Sequence, residues 1–321
     1  MQQPYFLQAA GNKTNTPGAV LRYSNANPIL RGLSGRKLTI KTTSNGEERV
    51  QSYEELDDIT AVSIVADAGT NVYITGEIGY LMFATTEESA KINSIETLIQ
   101  VSIQGSTINT FVLRGCTLLN TLDIMAADNL IDVDTDICTS LKVITIAYDY
   151  TKKIIDYSNY PNLETVNLGI VPYIEKLDLS ANNKLHDFTS ELCTNLSEVI
   201  LTQPTKAEIT TFNVSGAKIT AADFTGFSSL NTLELISCYY ITDLYIKDCI
   251  ALNDLDITDS LGIKRITLPN TDNAEIAQKL SEFISNTATG GEIHIEQSAG
   301  IYQTLNTAVT STNGRWEIIP E

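Results

Sequence analysis

Aliphatic residues recur at every eleventh position through the middle of the chain. A first run occupies positions 108, 119, 130, 141, 152, 163, 174, 185 and 196, and a second occupies positions 219, 230, 241, 252 and 263. Lys152 is the one exception in the first run. The step from 196 to 219 is one position longer than two regular intervals, so one residue is inserted, and we predict a local bulge or loop at residues 203–206.

Each unit continues with two more aliphatic residues, three and five positions after the first. On a β-strand these two point to the same side, and the residue between them points to the other. One such unit is too short for a strand and a helix, so we predict that two units form one coil of about 22 residues, with two short strands and two corners. The residues predicted to point inward are Leu122, Ile124, Leu177, Leu179, Leu233, Leu235, Leu255 and Ile257.

The five cysteines all hold one slot in this pattern, three residues before the opening aliphatic residue of a unit. They are Cys116, Cys138, Cys193, Cys238 and Cys249, and Asn182 holds the same slot in another unit. Cys or Asn at a corner can bond backbone groups that the turning chain leaves unpaired, so we interpret these six residues as a structural ladder. The odd number of cysteines and the absence of a C-x-x-C pair favour buried reduced thiols over disulfides or a metal site.

The two ends of the chain follow other patterns. Residues 1–95 lack the regular spacing and contain short β-like runs and the pair Asn45-Gly46, typical of a hairpin, so we predict an N-terminal β module that caps the array. Residues 96–270 are the predicted solenoid. Residues 271–321 combine helical spacing, as at Ile276 and Leu280, with two strand-like runs, which predicts an α-β-α-β cap that includes Trp316.

Composition limits the class of partner. The chain has 21 Lys and Arg against 39 Asp and Glu, and its formal net charge of -18 argues against nucleic acid and anionic membrane surfaces. No run approaches the roughly 18 apolar residues that indicate a membrane span. The N-terminal residues lack the basic and apolar stretches of a secretory signal, so we expect no export by the usual route.

Residues typical of catalysis are scarce. The two histidines, His186 and His294, fall in different predicted modules, which makes a catalytic triad or a histidine metal site hard to assemble. The sequence contains neither G-x-G-x-x-G nor a G-x-x-x-x-G-K-[ST] phosphate loop. We therefore expect a non-enzymatic protein that uses no cofactor.

An acidic segment is similar to the beginning of a calcium loop. Asp132, Asp134 and Asp136 have the alternating spacing of the first ligands of such a loop. Ile137 stands where the loop needs glycine, and Val143 stands where it needs the closing glutamate. We therefore predict an exposed part of the solenoid here and no metal.

Successive coils carry an aspartate in the exposed middle of one strand. These residues are Asp134, Asp156 and Asp178, each one predicted coil after the last, and we call them the acidic stripe. Parallel strands lie about 4.8 Å apart, so three stacked like charges are unfavourable unless water, salt or a partner's cation compensates them. Solvated surface is one interpretation. A contact face for a basic or cation-bridged partner is the functional alternative.

Two phrases of the sequence resemble a known family. They are I-E-K-L-D-L-S-A-N, from Ile174 to Asn182, and L-N-D-L-D-I, from Leu252 to Ile257. Both resemble the leucine-rich repeats of surface proteins from Bacteroidetes and from phages of those bacteria. The resemblance covers residues 98–268 and implies a mainly β leucine-rich-repeat solenoid.

The resemblance also implies a structural or interaction role. Because the bacterial members carry an export signal, the preferred hypothesis is a phage virion component, such as a head decoration, fibre or tail protein of a crAss-like phage. Such a protein is assembled in the host cytoplasm and resides in the virion. The alternative is an adhesion module at the bacterial cell surface. Expected partners are virion proteins or a host-surface protein or glycan, and a homo-oligomer stays open.

Overall fold

The chain forms a solenoid of parallel β-strands with a β-rich N-terminal end and a helix-containing C-terminal end. The computed structural model describes residues 18–23, 25, 29–83, 87–105, 107–130, 132–134, 138–150 and 156–321. The prediction of a mainly β protein is confirmed. Among the helices in these ranges, none is long and apolar enough to cross a membrane.

Five strands form the N-terminal end: β1 (Gly18–Tyr23), β2 (Ile29–Ser44), β3 (Glu47–Ser63), β4 (Asn71–Phe83) and β5 (Glu87–Asn93). β2 pairs antiparallel with β3 and β4, and β1 lies between β4 and β5. Asn45 and Gly46 connect β2 to β3 with φ angles of 54° and 78°, and positive φ at both positions is what a type I′ turn requires. The hairpin predicted from this pair is confirmed.

Two parallel sheets, which we call face A and face B, form the sides of the solenoid. Face A contains the strands β6 (Gln100–Gln104), β8 (Thr121–Met125), β10 (Val143–Ala147), β11 (Thr165–Gly169), β13 (Asp187–Glu191), β15 (Thr211–Asn213), β17 (Thr232–Glu234) and β19 (Asp254–Asp256). Face B contains β7 (Thr110–Arg114), β9 (Asp132–Asp134), β12 (Lys176–Asp178), β14 (Glu198–Ile200), β16 (Ala222–Asp223), β18 (Asp243–Tyr245) and β20 (Arg265–Thr267). A short 3-10 helix, Tyr157–Asn159, lies between β10 and β11.

The strand register repeats the sequence spacing. On face A, Leu122 lies opposite Ile144, Ile144 opposite Val166, and Val166 opposite Phe188, so each coil advances by two of the sequence units. The eight residues predicted to point inward are all buried, and the most exposed of them, Leu177, keeps only 4% of its surface. Their inward orientation is therefore confirmed.

The N-terminal strands close the first end of the solenoid. β4 pairs in parallel with β6 and so continues face A, whereas β5 pairs in parallel with β7 and continues face B. β1 pairs with both β4 and β5 and joins the two faces into one sheet. The unpaired edges of the first coil are thereby covered. The predicted domain boundaries near residues 95 and 270 stay predictions.

Pairing on face B is interrupted between β14 and β16. β12 pairs with β14 and β16 pairs with β18, but among the described strands β14 has no pairing with β16. On face A the same coils stay joined, with Phe188 opposite Phe212, a step two positions longer than in the regular coils. The insertion forms helix α1 (Gln203–Glu208), so the bulge or loop expected at residues 203–206 is wrong. Pro204 suits the first turn of a helix, where backbone N–H groups have no partner within the helix.

The C-terminal elements have the predicted α-β-α-β order: α2 (Ala274–Asn286), β21 (Gly291–Ile295), α3 (Tyr302–Ser311) and β22 (Trp316–Pro320). β21 and β22 extend face B in parallel beyond β20. The α2 residue Lys279 places its Nζ atom 3.5 Å from Asp256 Oδ2 on β19, the last strand of face A. Trp316 is buried and its ring lies 5.9 Å from that of Phe283, so the tryptophan joins β22 to α2.

Candidate functional site

An apolar row at the surface follows four successive strands of face A. It consists of Ala126, Tyr148, Ile170 and Leu192, the residues directly after β8, β10, β11 and β13, and we call it the corner row. All four have φ angles between 49° and 54°, in the left-handed region. Tyr148 and Leu192 are 52% and 51% exposed, and Ile170 is half-buried. The row therefore presents apolar side chains to solvent from an unusual backbone conformation.

Hydrogen bonds between coils hold this conformation. The backbone N–H of Tyr148 donates to the carbonyl of Gly169 at 2.7 Å, and that of Ile170 donates to the carbonyl of Glu191 at 2.8 Å. The left-handed turn points each N–H along the solenoid axis to the next coil. Breaking the strained conformation would leave these groups without their partners.

Glycine occupies the equivalent position in flanking coils. Gly105 and Gly216 have positive φ angles and donate their N–H groups to the next coil in the same way. A side chain in this conformation costs roughly 1–2 kcal/mol, and the cost is greatest for a β-branched residue such as Ile170. Leu192 lies over Gly216, because a Cβ atom on that glycine would come within 3.1 Å of Leu192 Cδ2. The corner row thus keeps larger residues where glycine fits without strain.

Tyrosines surround the corner row on the same edge of the solenoid. Tyr150 is 62% exposed, and Tyr239 and Tyr240, further along, are 57% and 54% exposed. Tyr173 places its hydroxyl 3.4 Å from Oδ2 of Asp149, a carboxylate that is fully buried at its corner. Interface cores are enriched in aromatic residues, and this edge exposes three tyrosines.

The outward side of face A changes along the solenoid. Its strands β10 and β11 carry small uncharged residues outward, whereas β8 carries Asp123 and the strands β13, β17 and β19 are acidic. Asn213 donates to Glu191 Oε1 at 3.4 Å and to Glu234 Oε2 at 2.6 Å. Burial raises the pKa of Glu234, and repulsion from Asp254, Glu191 and Asp256 raises it further. Face A is therefore uncharged at β10 and β11 and acidic towards its C-terminal end.

The corner row was missed in the sequence because its residues lie outside the aliphatic spacing that defines the strands. The signal that marks it is apolar character at positions 126, 148, 170 and 192, which are equally spaced, one coil apart. Hydrophobic periodicity indicates which residues point inward, and it carries no information on backbone φ. The left-handed conformation becomes visible only in the structure.

The structure places the acidic stripe on face B without bringing its members into one described cluster. Asp134 lies in β9 opposite Val112, and its side chain is outside the described part of the chain. Asp156 and Asp178 are exposed. Asp156 precedes the 3-10 helix, and Asp178 ends β12. The proposed contact role of the stripe stays a prediction.

Two stripe residues also stabilise their own corners. Asp178 Oδ1 accepts a hydrogen bond from the backbone N–H of Ser180 at 2.9 Å, and Asp156 Oδ1 accepts one from the N–H of Ser158 at 3.0 Å. A hydrogen bond from the Ser180 side chain, followed by that from its backbone, holds the pKa of Asp178 below its usual value. The aspartate therefore has a local structural reason for its position, as an N-terminal cap of the turn.

The ladder residues divide between two corners. Cys116, Cys138, Asn182 and Cys249 follow strands of face B, whereas Cys193 and Cys238 follow strands of face A. All five cysteines are buried, and none of them forms a disulfide in this structure. Because one coil contains two sequence units, the single sequence slot produces two stacks of corner residues.

Corner residues bond carbonyl groups of the preceding coil. The thiol of Cys138 donates to the Leu113 carbonyl at 3.8 Å, and that of Cys238 donates to the Val214 carbonyl at 3.2 Å. The amide of Asn182 donates to two carbonyls of the preceding coil. Cys and Asn side chains thus bond backbone carbonyls at these corners, and their role as a structural ladder stays a prediction.

Burial keeps most of these thiols unreactive. It raises the pKa of Cys193 and Cys238, and it raises the pKa of Cys249 to about 12. Cys116 differs, because a hydrogen bond with Cys138 lowers its pKa. Cys116 and Cys138 are thus neighbours on adjacent coils.

Candidate metal ligands stay apart. In the described ranges, no group of three or more His, Cys, Asp or Glu side chains is arranged to hold a metal ion. His186 Nδ1 lies 3.0 Å from Asp187 Oδ2 next to face A, and His294 Nε2 lies 3.0 Å from Glu292 Oε2 on face B. For the calcium-like segment, the side chains of residues 132–136 fall outside the described part of the chain.

No protein-family model matches the sequence, and no curated protein matches it. Seven solved chains match in structure. One is the functional domain of InlJ from Listeria monocytogenes, which includes a cysteine ladder, with 15% identity, a TM-score of 0.42, and coverage of 70% of this chain and 59% of that chain. Another is an internalin, InlF, from Listeria monocytogenes, with 12% identity, a TM-score of 0.32, and coverage of 70% and 84%. The match spans less than two thirds of the InlJ chain.

Proposed function

We propose that this protein is a non-enzymatic leucine-rich-repeat solenoid, capped at both ends, that binds another protein through the corner row. One observation carries the proposal: Tyr148, Ile170 and Leu192 stay at the surface in left-handed conformations, whereas glycine occupies the same position in flanking coils. Strained backbone persists where the surrounding structure enforces it, and it is concentrated at functional positions. The side chains are retained for contact with a partner.

The proposed contact surface is preformed. Each coil is held by both neighbours, so the corner row and the uncharged strands β10 and β11 keep their shape when a partner arrives. Exposed tyrosines supply contact area at a low cost in conformational entropy. Binding therefore requires neither a chemical step nor a large conformational change.

Glycine substitution tests the proposal directly. The triple variant Tyr148→Gly, Ile170→Gly, Leu192→Gly removes the apolar side chains and also relieves the strain, so its free energy of unfolding should equal or exceed that of the parent. Affinity capture of virion proteins and of host-surface proteins should fail with this variant. Ile250→Ala, at an apolar residue that is 79% exposed elsewhere, is the control and should capture as the parent does. The proposal would be contradicted if the triple glycine variant captured the same proteins as the parent and the Ile250→Ala control.

We further propose that the protein is located in a phage virion. The support is the resemblance of its repeat phrases, from Ile174 to Asn182 and from Leu252 to Ile257, to those of proteins from phages of Bacteroidetes. The alternative proposal is an adhesion module at the surface of such bacteria. Gold-labelled antibody against the protein should decorate purified virions in the first case and uninfected cells in the second.

The acidic stripe is a second proposed contact face. Asp156 and Asp178 are exposed and their carboxylates are available to a basic partner. Replacing Asp134, Asp156 and Asp178 by Asn keeps an oxygen that can accept the corner hydrogen bonds and removes the charge. Partner binding through the stripe should weaken with salt and in this variant. Unchanged binding would leave the corner row as the contact surface.

A further inference from the structure

A cavity of about 180 Å³ lies where the pairing of face B is interrupted. It opens between β14 and β16, beside α1, and its mouth lies among the exposed residues Glu198, Ala221 and Asp223. Protein interiors are close-packed and seldom leave a void larger than a water molecule. The regular packing of the repeats therefore does not account for a cavity of this size.

A small residue at an inward position creates the space. Ala222 lies opposite Leu244 on β18, and Leu177 lies opposite Val199 on β14, so alanine stands where the neighbouring coils carry Leu or Val. Ala222 is 4% exposed and lines the cavity. Because β14 and β16 do not pair with each other, the two coils do not close the space that the small side chain of Ala222 leaves.

Three phenylalanine rings form the inner wall. Phe212 lies 5.4 Å from Phe224 and 5.9 Å from Phe227, and Phe224 lies 5.1 Å from Phe227, all in edge-to-face arrangements. Val199 and Leu201 complete the lining near the mouth. Rings in this arrangement present both edges and faces, which suits a further aromatic ring at similar distances. Apolar cavities of about 150 Å³ stay dry and take up benzene.

Charged groups at the rim already have partners. Glu198 forms an ion pair with Lys176 at 2.9 Å, and Asp223 accepts hydrogen bonds from the Thr225 hydroxyl at 2.6 Å and N–H at 2.9 Å. Lys206 holds its Nζ atom 5.7 Å from the centre of the Phe227 ring. A charged ligand would lose its contact with water at the apolar wall, and among these described rim residues it would find no charged side chain that lacks a partner and could compensate that cost.

We infer that the cleft between β14 and β16 is a binding site for one uncharged aromatic molecule of about one ring. The Phe212, Phe224 and Phe227 rings contact its faces and edge, and Val199 and Leu201 contact it at the entrance. The site lies on face B and is separate from the corner row. Its occupation is independent of partner binding.

Toluene, with methyl-labelled protein, tests the site. Titration should shift the NMR signals of the Val199 and Leu201 methyl groups in a saturable, one-to-one manner, and should leave those of Leu122 and Ile124 in place. Benzylammonium and benzoate, which have the same ring and a charge, should bind at least ten-fold more weakly. Shifts that spread evenly over the core methyl groups, no shift with toluene, or equal binding of the charged probes would overturn the inference.

A cavity-filling variant supplies the second arm. Ala222→Leu restores the side chain that the neighbouring coils carry, so it should raise the melting temperature and reduce toluene affinity at least ten-fold. Ala274→Leu makes the same change on the exposed first turn of α2 and should leave toluene binding unchanged. Unaltered toluene affinity in Ala222→Leu would overturn the site. If that variant fails to fold, the methyl map of the parent protein decides.

A capped phenylalanine tests whether the cleft binds a small aromatic molecule or the side chain of a peptide. N-acetylphenylalaninamide adds two peptide groups to the ring of toluene, and these groups would exchange water for the apolar residues Val199 and Leu201 at the mouth. It should bind more weakly than toluene. Tighter binding of the capped amino acid would show that the cleft accepts a protein side chain, and it would overturn the small-molecule assignment.

Discussion

The side-chain nitrogen of Asn182 lies 2.8 Å from the carbonyl oxygen of Tyr160, which stands at the equivalent place in the preceding coil. The same nitrogen donates to the carbonyl of Tyr157 at 2.9 Å. Asn182→Ala would remove both of these bonds and leave each carbonyl with only its backbone donor, Tyr160 N–H or Leu163 N–H, at about 1 kcal/mol or more for each lost bond. We expect chemical denaturation to show a loss of about 2–3 kcal/mol.

Cysteine at the same position is the matched control, because Cys138 holds the equivalent slot elsewhere in the same ladder and donates from its thiol. Asn182→Cys should retain part of the stability that Asn182→Ala loses. Equal losses in the two variants would contradict the donor role of the corner side chain.

Glu234 should reduce stability at neutral pH. Burial and the neighbouring Asp254 and Glu191 raise its folded-state pKa, so the charged form is disfavoured in the folded protein. Stability attributable to this group is therefore gained as the pH falls through the raised pKa. Glu234→Gln should melt at a higher temperature than the parent at pH 7, and the difference should vanish in acid.

Asp178 should change stability with pH in the opposite direction to Glu234. Hydrogen bonds from Ser180 lower its folded-state pKa, so its contribution is present above the unfolded value of 3.8 and is lost as the pH falls through the lower folded value. Asp178→Asn should therefore lower the melting temperature at neutral pH and converge with the parent in acid.

A Glu234→Gln variant with a lower melting temperature than the parent at pH 7 would refute the electrostatic account of Glu234.

The five thiols should react only after unfolding. All are buried, and burial raises the pKa of Cys193, Cys238 and Cys249, which suppresses the reactive thiolate. Titration with a thiol reagent should give little reaction in native buffer and five equivalents per chain in denaturant. Mass spectrometry early in unfolding should find Cys116 modified first, because its pKa is lowered. Blocked thiols in denaturant would reveal a disulfide or a metal.

Leu177 tests the inward face of the solenoid. It is 4% exposed, so Leu177→Asp would bury a carboxylate without a partner and should lower the free energy of unfolding by several kcal/mol. Thr194→Asp, on an exposed corner, adds the same charge in water and should change stability by about 0.5 kcal/mol or less. Equal melting of the two variants would contradict the burial of Leu177.

Sequence periodicity predicts the part of the fold that depends on burial. Leu122 and Leu233 point inward because aliphatic residues two positions apart share one side of a strand, and every coil repeats that constraint. The turn at Asn45 and Gly46 was also predictable, since few residues other than Asn and Gly accept positive φ twice in succession.

Features that depend on packing between coils were not predictable. Tyr148 and Ile170 adopt left-handed conformations because their N–H groups bond the next coil, against their own preference. Pro204 indicated an irregular segment, but whether it forms a loop or a helix depends on how α1 packs over Gly226. The cavity beside Ala222 likewise results from an alanine and an unpaired strand together.

The missing pairing between β14 and β16 also determines how the molecule bears mechanical load. Force along the solenoid axis passes through the coil interfaces in series, so each interface carries the same tension. Between these two coils, strand pairing crosses on face A alone. Among the coil interfaces from β12 to β20, this one has the fewest paired strands, and a chain stretched between its ends in an optical trap should rupture there before it ruptures at the others, into two blocks that each remain folded.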